Sequence, residues 1–179
     1  MFNLFKKKDP ETKVIDKVVI EETAKFKAML TYWTLDKNTA FVFWFDESLR
    51  QAESFFTSQS TEPITLLTAR EAATPQLAGK KAVFAEHYPL RSKEEELYKK
   101  INAKTAVVFS SLNEPLFKRF GADKIIQVMK QLGMKEDEVI EHNMISKAIQ
   151  RAQEKIGKKV MIEQSAHSQH DWLEKNFVA

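Results

Sequence analysis

Cysteine is absent from the sequence. That excludes a disulfide framework, a thiolate metal site and a cysteine nucleophile together, and it leads to the expectation of a reducing, cytoplasmic setting. Glycine is scarce too: there are four, with five prolines, among 179 residues. A glycine-rich loop of the kind that cradles phosphate therefore has nowhere to sit. Long apolar runs are missing. The longest, Ala40 to Phe45, has the length of a buried strand and falls far short of the ~20 residues that cross a bilayer. A dominant charge is missing as well, because 28 Lys and Arg against 25 Asp and Glu leave a net +3, which demands no anionic partner. The opening Met1-Phe2-Asn3-Leu4-Phe5, followed by Lys6 to Lys8, sets apolar residues before basic ones, the reverse of a secretion signal. Phe2, Leu4 and Phe5 beside the lysines would make a short amphipathic anchor for peripheral membrane contact through residues 1–8. So short a segment buries little area, and a frayed terminus is the plainer reading.

What is present is enough apolar side chain, 43% of residues, for one core. Asp16 to Ile20 is a β-branched run, and Glu21 to Leu35 is loosely helical. The continuously apolar Thr39 to Phe45 fits a strand buried on both faces, as in a parallel sheet covered by helices. Asp46 has the form of an N-cap for a helix with Leu49, Ala52, Phe55 and Phe56 inward. Ile64 to Leu67, Lys81 to Ala85 and Ala106 to Phe109 complete four apolar strands alternating with helical segments. Pro89 to Ile101 carries a charged face of Lys93, Glu94, Glu95, Glu96, Lys99 and Lys100. The succession predicts an α/β fold, a small open, mostly parallel sheet with flanking helices, followed by a helical C-terminal region.

That region has Pro115 at a helix start and Ile125 to Met129 with Leu132 as a stripe. Gly133 is placed as a C′ residue, and Asn143 caps a helix closing at Gly157. Val160 to Ile162 is a possible edge strand before a terminal helix with Trp172, Leu173 and Phe177. The expected divisions are an extension over 1–15, the α/β domain over 16–112, a helical segment over 113–157 and a tail over 158–179.

Ligands of open α/β sheets bind beyond the carboxyl ends of the strands. The residues expected there are Asp46, Glu47, Ser48, Glu86, His87, Tyr88, Arg91, Ser110 and Ser111, with His87 set beside Glu86 and Arg91; an ordinary polar surface loop is the plainer reading. Glu163, His167, His170 and Asp171 are the one set resembling metal ligands, but they lie in a tail without a fixed fourth donor, so no metal is expected. Lysine doublets such as Lys80-Lys81, Lys99-Lys100 and Lys158-Lys159 read as solvated faces and not as a nucleic-acid track. Trp33, Phe41, Phe43, Trp44 and Phe45 read as core, not as a base-stacking platform. No nucleic-acid partner is expected.

One stretch is more specific. It runs Ser111-Leu112-Asn113-Glu114-Pro115-Leu116, Arg119-Phe120-Gly121, Lys124-Ile125, Leu132-Gly133-Met134-Lys135-Glu136, Ile140-Glu141-His142-Asn143, Ser146-Lys147-Ala148-Ile149 and Ala152-Gln153. In order and spacing it resembles the SecA preprotein-translocase ATPase family where the second motor domain hands over to the scaffold helix. Asp16-Lys17-Val18-Val19, Glu22 and Ala24 to Ala28 are similar to the strand and helix entering that domain. The resemblance implies a RecA-like second-motor fold over about Asp16 to Lys155. It does not bring the family's activity with it: the Gly-Arg-Gly-Thr-Asp segment and the glycine-arginine cluster with its phosphate-stabilising arginine have no counterpart among these residues, nor has a phosphate loop. The expectation is therefore no catalytic residue and no cofactor. The favoured reading is a domain acting through contacts with a protein, from the Sec machinery or a second copy of itself. The alternative is a nucleotide- or small-ligand-binding module using the carboxyl edge of the sheet.

Overall fold

A computed structural model of the protein describes residues 12–131 and 133–177. Residues 1–8 with their apolar-basic pattern, and Leu132 of the expected stripe, lie outside the described residues. Five strands, β1 (Lys13–Val19), β2 (Thr39–Phe43), β3 (Thr65–Thr68), β4 (Lys81–Phe84) and β5 (Thr105–Ser111), form one sheet in the order β1-β5-β4-β2-β3, and every pairing is parallel. The β-branched run at Asp16 is thus a fifth strand that begins three residues earlier, at Lys13. Parallel strands need crossovers. These are α1 (Glu22–Leu35), α2 (Asp46–Gln59), α3 (Ala69–Ala72) with a 3-10 turn at Pro75–Leu77, and α4 (Arg91–Lys100).

Strand alternation sorts the core into two layers. Phe41, Phe43, Val83, Ala85, Val107 and Phe109 face α1 and α2, packing on Phe26, Met29, Trp33 and Phe56. Val42, Phe84, Ala106 and Val108 face the opposite side, against Ala72, Leu97 and Tyr98. Both faces are covered, which is why β2 is wholly buried and apolar from Ala40 to Phe43.

The C-terminal region contributes α5 (Pro115–Arg119), α6 (Ala122–Gln131), α7 (Asn143–Lys159) and α8 (Gln169–Asn176). Gly133, at φ 81°, ends α6 as expected, with Met134 N–H donating to the Met129 carbonyl at 3.1 Å. Four local expectations are corrected. Asp46 is the first residue of α2, its cap being Phe45, because the chain is still extended at Phe45. His142, not Asn143, caps α7, its Nδ1 accepting from Met144 N–H at 3.1 Å. Gly157 does not close that helix, which continues to Lys159. Val160 to Ile162 forms no strand; the edge of β1 is instead bridged at Val18 by Ile140, with reciprocal bonds of 2.9 and 2.7 Å.

Candidate functional site

With all five strands parallel, their carboxyl ends lie along one edge. Residues just past those ends, Phe45 to Ser48, Glu86 to Tyr88 and Leu112 to Glu114, share that edge as the sequence implied. The edge is not open. The chain's own α5, α7 and α8 close over it, burying Phe45, Leu116, Ile156, Trp172, Leu173 and Phe177 in one apolar cluster edged by Trp44, Tyr88 and Leu90.

Beneath this cover lie two buried polar networks. In the first, Glu86 Oε1 accepts from the backbone N–H of Trp44 at 2.9 Å and of Phe45 at 3.1 Å, and from the Ser48 hydroxyl at 2.6 Å, at the entrance to α2. Burial pushes the Glu86 carboxyl up to about 7 against the pull of Lys25 and Ser48. Lys25, 1% exposed, donates to Glu114 Oε1 at 2.8 Å, and the same oxygen accepts from Ser111 N–H at 2.9 Å. Burial works against the Lys25 charge, but Glu114, Glu86 and Glu22 outweigh it and hold its pKa above the ordinary lysine value.

The second network centres on His87, 2% exposed, whose Nδ1 lies 2.9 Å from Glu94 Oε1 and whose Nε2 lies 2.9 Å from Asp16 Oδ1. Burial disfavours its charge, yet Glu94 and Asp16 on opposite sides prevail and raise its pKa to about 10, so the ring is an imidazolium at neutral pH. Asp16 is desolvated as well, and its bond and charge contact with His87 still hold its carboxyl below the usual range. The C-terminal helices fasten here. Gln153 of α7 donates to Glu94 Oε2 at 2.9 Å and to the Tyr88 carbonyl at 2.8 Å. Gln169 of α8 donates to the His87 carbonyl at 3.1 Å and accepts from Leu116 N–H at 2.7 Å.

The nine expected residues therefore meet different fates. Ser48, Glu86, His87, Ser110 and Ser111 are buried, whereas Asp46 and Glu47 are exposed at the start of α2. Tyr88 is half-buried and bonds Glu163, and Arg91 Nε donates to Glu95 at 2.6 Å. His87 does not pair with Glu86 and Arg91, as expected, but with Asp16 and Glu94. Glu94, expected on a solvated face, is 3% exposed. Sequence reasoning missed Asp16, Lys25, Glu94, Glu114, Gln153 and Gln169. No signal singled out Lys25, because the stretch Ala24 to Met29 carries a second lysine, Lys27, which is exposed.

The histidines of the tail do not converge: His167 lies 3.7 Å from Asp46, and His170 lies 3.2 Å from Glu174. Among the described residues no three His, Asp or Glu could hold a metal together. Among the described residues, surface grooves elsewhere include one lined by Glu53, Phe56, Pro63 and Leu66 and another by Lys17, Lys27, Tyr32 and Val139.

Over 51 residues, 28% of the chain, the sequence is 51% identical to the protein translocase subunit SecA of Chlorobium phaeovibrioides. Over 52 residues it is 46% identical to that of Chloroherpeton thalassium and 48% identical to that of Parabacteroides distasonis. Part of this chain is SecA-related. The matched stretch spans 5% of the length of those SecA proteins, and no family model matches the chain. None of the described helices is long and apolar enough to cross a membrane. Chemically, the networks neutralise and hold: the acid with a pKa near 7, Glu86, has its Oε1 covered by three donors, and the imidazolium is enclosed by two carboxylates.

Proposed function

We propose that the chain is a non-catalytic, SecA-like domain that serves protein export through contacts with another protein. The observation that carries this reading is the closure of the carboxyl edge by α5, α7 and α8. Ser48, Glu86, His87 and Ser111, the residues a small ligand would have met, are engaged with other groups of the chain instead. The SecA-related stretch supports the link to export, since the proteins that share it are by name subunits of a protein translocase. The competing reading, a nucleotide or small ligand at that edge, would need these helices to leave, exposing Trp172, Leu116, Ile156 and Leu173 at about 1.5–3 kcal/mol for each large side chain.

The test is a binding measurement of the full chain against the SecA and membrane-channel components of its own host, with phosphate release from ATP followed in parallel. Saturable binding to one component, with no phosphate release by the chain alone, is expected. Absence of binding to every component, or ATP turnover by the purified chain, would overturn the proposal.

A further inference from the structure

The two lateral edges of the sheet are finished differently. The outer side of β1 is closed by Ile140, which exchanges two backbone bonds with Val18. The outer side of β3 has no such cover among the described residues. Lys81 N–H donates to the Asn38 carbonyl at 2.8 Å and Ala85 N–H to the Val42 carbonyl at 2.9 Å, so the even-numbered residues of β2 turn their backbone groups to β4 and the odd-numbered ones turn theirs to β3. Phe41 is in register with Leu66, which leaves Thr65 and Leu67 to answer it. Leu66 therefore points its N–H and C=O off the sheet. Thr68 points the same way, but its N–H is taken by Glu71 Oε2 at 2.8 Å.

The side chains at this edge add a second observation. Ile64 and Leu66 lie on the face that packs against α2, and beside them opens a groove of about 370 Å³ lined also by Glu53, Phe56 and Thr57. Ile64 to Thr68 holds no charge and no proline, the residues that keep edge strands from pairing. Charges stand at its two ends. Glu62, paired at the surface with Lys37, precedes it; Arg70 follows it, exposed and without an ion pair among the described residues.

We propose that β3 is the seat of a homodimer in which two copies of the chain pair edge to edge, antiparallel about a twofold axis through Leu66. In that register Leu66 exchanges both backbone bonds with the partner's Leu66, and Ile64 N–H meets the carbonyl of the partner's Thr68. Each Leu66 side chain enters the other copy's groove. Charge decides the occupant: antiparallel pairing of like strands sets each Glu62 beside the partner's Arg70, twice over by symmetry. This pairing uses the lateral edge of the sheet, leaves the closed carboxyl ends untouched and needs no export component.

The test is sedimentation of the purified full chain across the micromolar range. A reversible dimer that weakens with salt is expected. Arg70→Glu sets like charges together and weakens the dimer about tenfold, and Glu62→Arg/Arg70→Glu restores it; both side chains are exposed, so the fold is kept. Because the chain has no cysteine, Leu66→Cys puts one thiol per copy on the axis, where Cα atoms of a bonded antiparallel pair stand ~5.5 Å apart, within the span of a disulfide. Mild oxidation links that variant into a covalent dimer, while Leu35→Cys, at a position 84% exposed on α1, stays unlinked. The proposal is overturned by a chain that remains monomeric, by a dimer that Arg70→Glu leaves unchanged or that the charge swap fails to restore, or by Leu66→Cys linking no better than Leu35→Cys. A monomeric chain that takes up an extended peptide at this edge would also overturn it.

Discussion

On the side turned to the sheet, α7 and α8 set Gln153, Ile156, Gln169 and Trp172 against the strand ends, and all four are buried. On the side turned to solvent, the loop between the same two helices leaves Met161 and Ile162 bare and Lys155, Lys158 and Lys159 without an acidic partner among the described residues. On the inner surface Glu86, His87, Gln153 and Gln169 meet partners within the chain, while Ser110 Oγ and Glu114 Oε2 are buried without one; the outer one leaves its apolar and cationic groups to solvent. The contrast teaches that burial of polar groups at the edge of an α/β sheet marks a seam as well as it marks a site, and that a search for partners belongs on the outer surface.

The contrast is broken hardest at the seam. Trp172→Ala should cost about 3–5 kcal/mol in urea unfolding, because the site cannot collapse around the lost ring. Lys25→Met should cost a similar ~3–5 kcal/mol by stranding the buried Glu114, and Lys25→Met/Glu114→Leu should recover most of that loss. A double variant no better than the single would show that the pair is not the unit of stability.

Next comes a pH signature. His87 titrates near 6.5 when unfolded and at about 10 when folded, so the folded state holds the proton more tightly. Its contribution is fully present below pH 6.5 and is lost as pH rises through about 10. Asp16 runs the other way: its carboxyl is lowered from 3.8, so its contribution is present above that value and lost as pH falls. The stability difference between wild type and His87→Gln, read from urea midpoints across pH, should therefore shrink between 6.5 and 10. A pH-independent difference would remove the imidazolium from the account.

Smaller effects sharpen the comparison. Ser168 caps α8, its Oγ accepting from Asp171 N–H at 3.0 Å, so Ser168→Ala should cost about 1 kcal/mol. Met161→Ser/Ile162→Ser, on the outer surface, should change stability by no more than ~0.5 kcal/mol.

Much of the architecture was legible because it rests on one-dimensional pattern. The apolar run of β2 and, in the stripe Ile145, Ala148, Ile149, Ala152 and Ile156 of α7, all but the exposed Ala148 needed no tertiary knowledge to read. The seam was legible only in part. Ser48, Glu86, His87, Ser110 and Ser111 fall at the predicted edge, since position past a strand end follows from strand order. Their partners do not follow. Glu94 stands in a row with Glu95 and Glu96 of identical composition, and its burial depends on an imidazole seven residues away and an aspartate on another strand. Lys25 is buried because Glu114 lies 89 residues further along. Val160 to Ile162 has a strand's composition, but the exposed edge of β1 is bridged by Ile140.

The central claim, that the chain's own helices occupy the edge where a ligand would enter, is tested most directly by thermal and urea unfolding of the full chain with ATP, ADP, GTP and GDP at high concentration. A closed seam predicts no stabilisation by any of them. Stabilisation approaching the ~2.7 kcal/mol given by a ligand at 100 times its dissociation constant would contradict it.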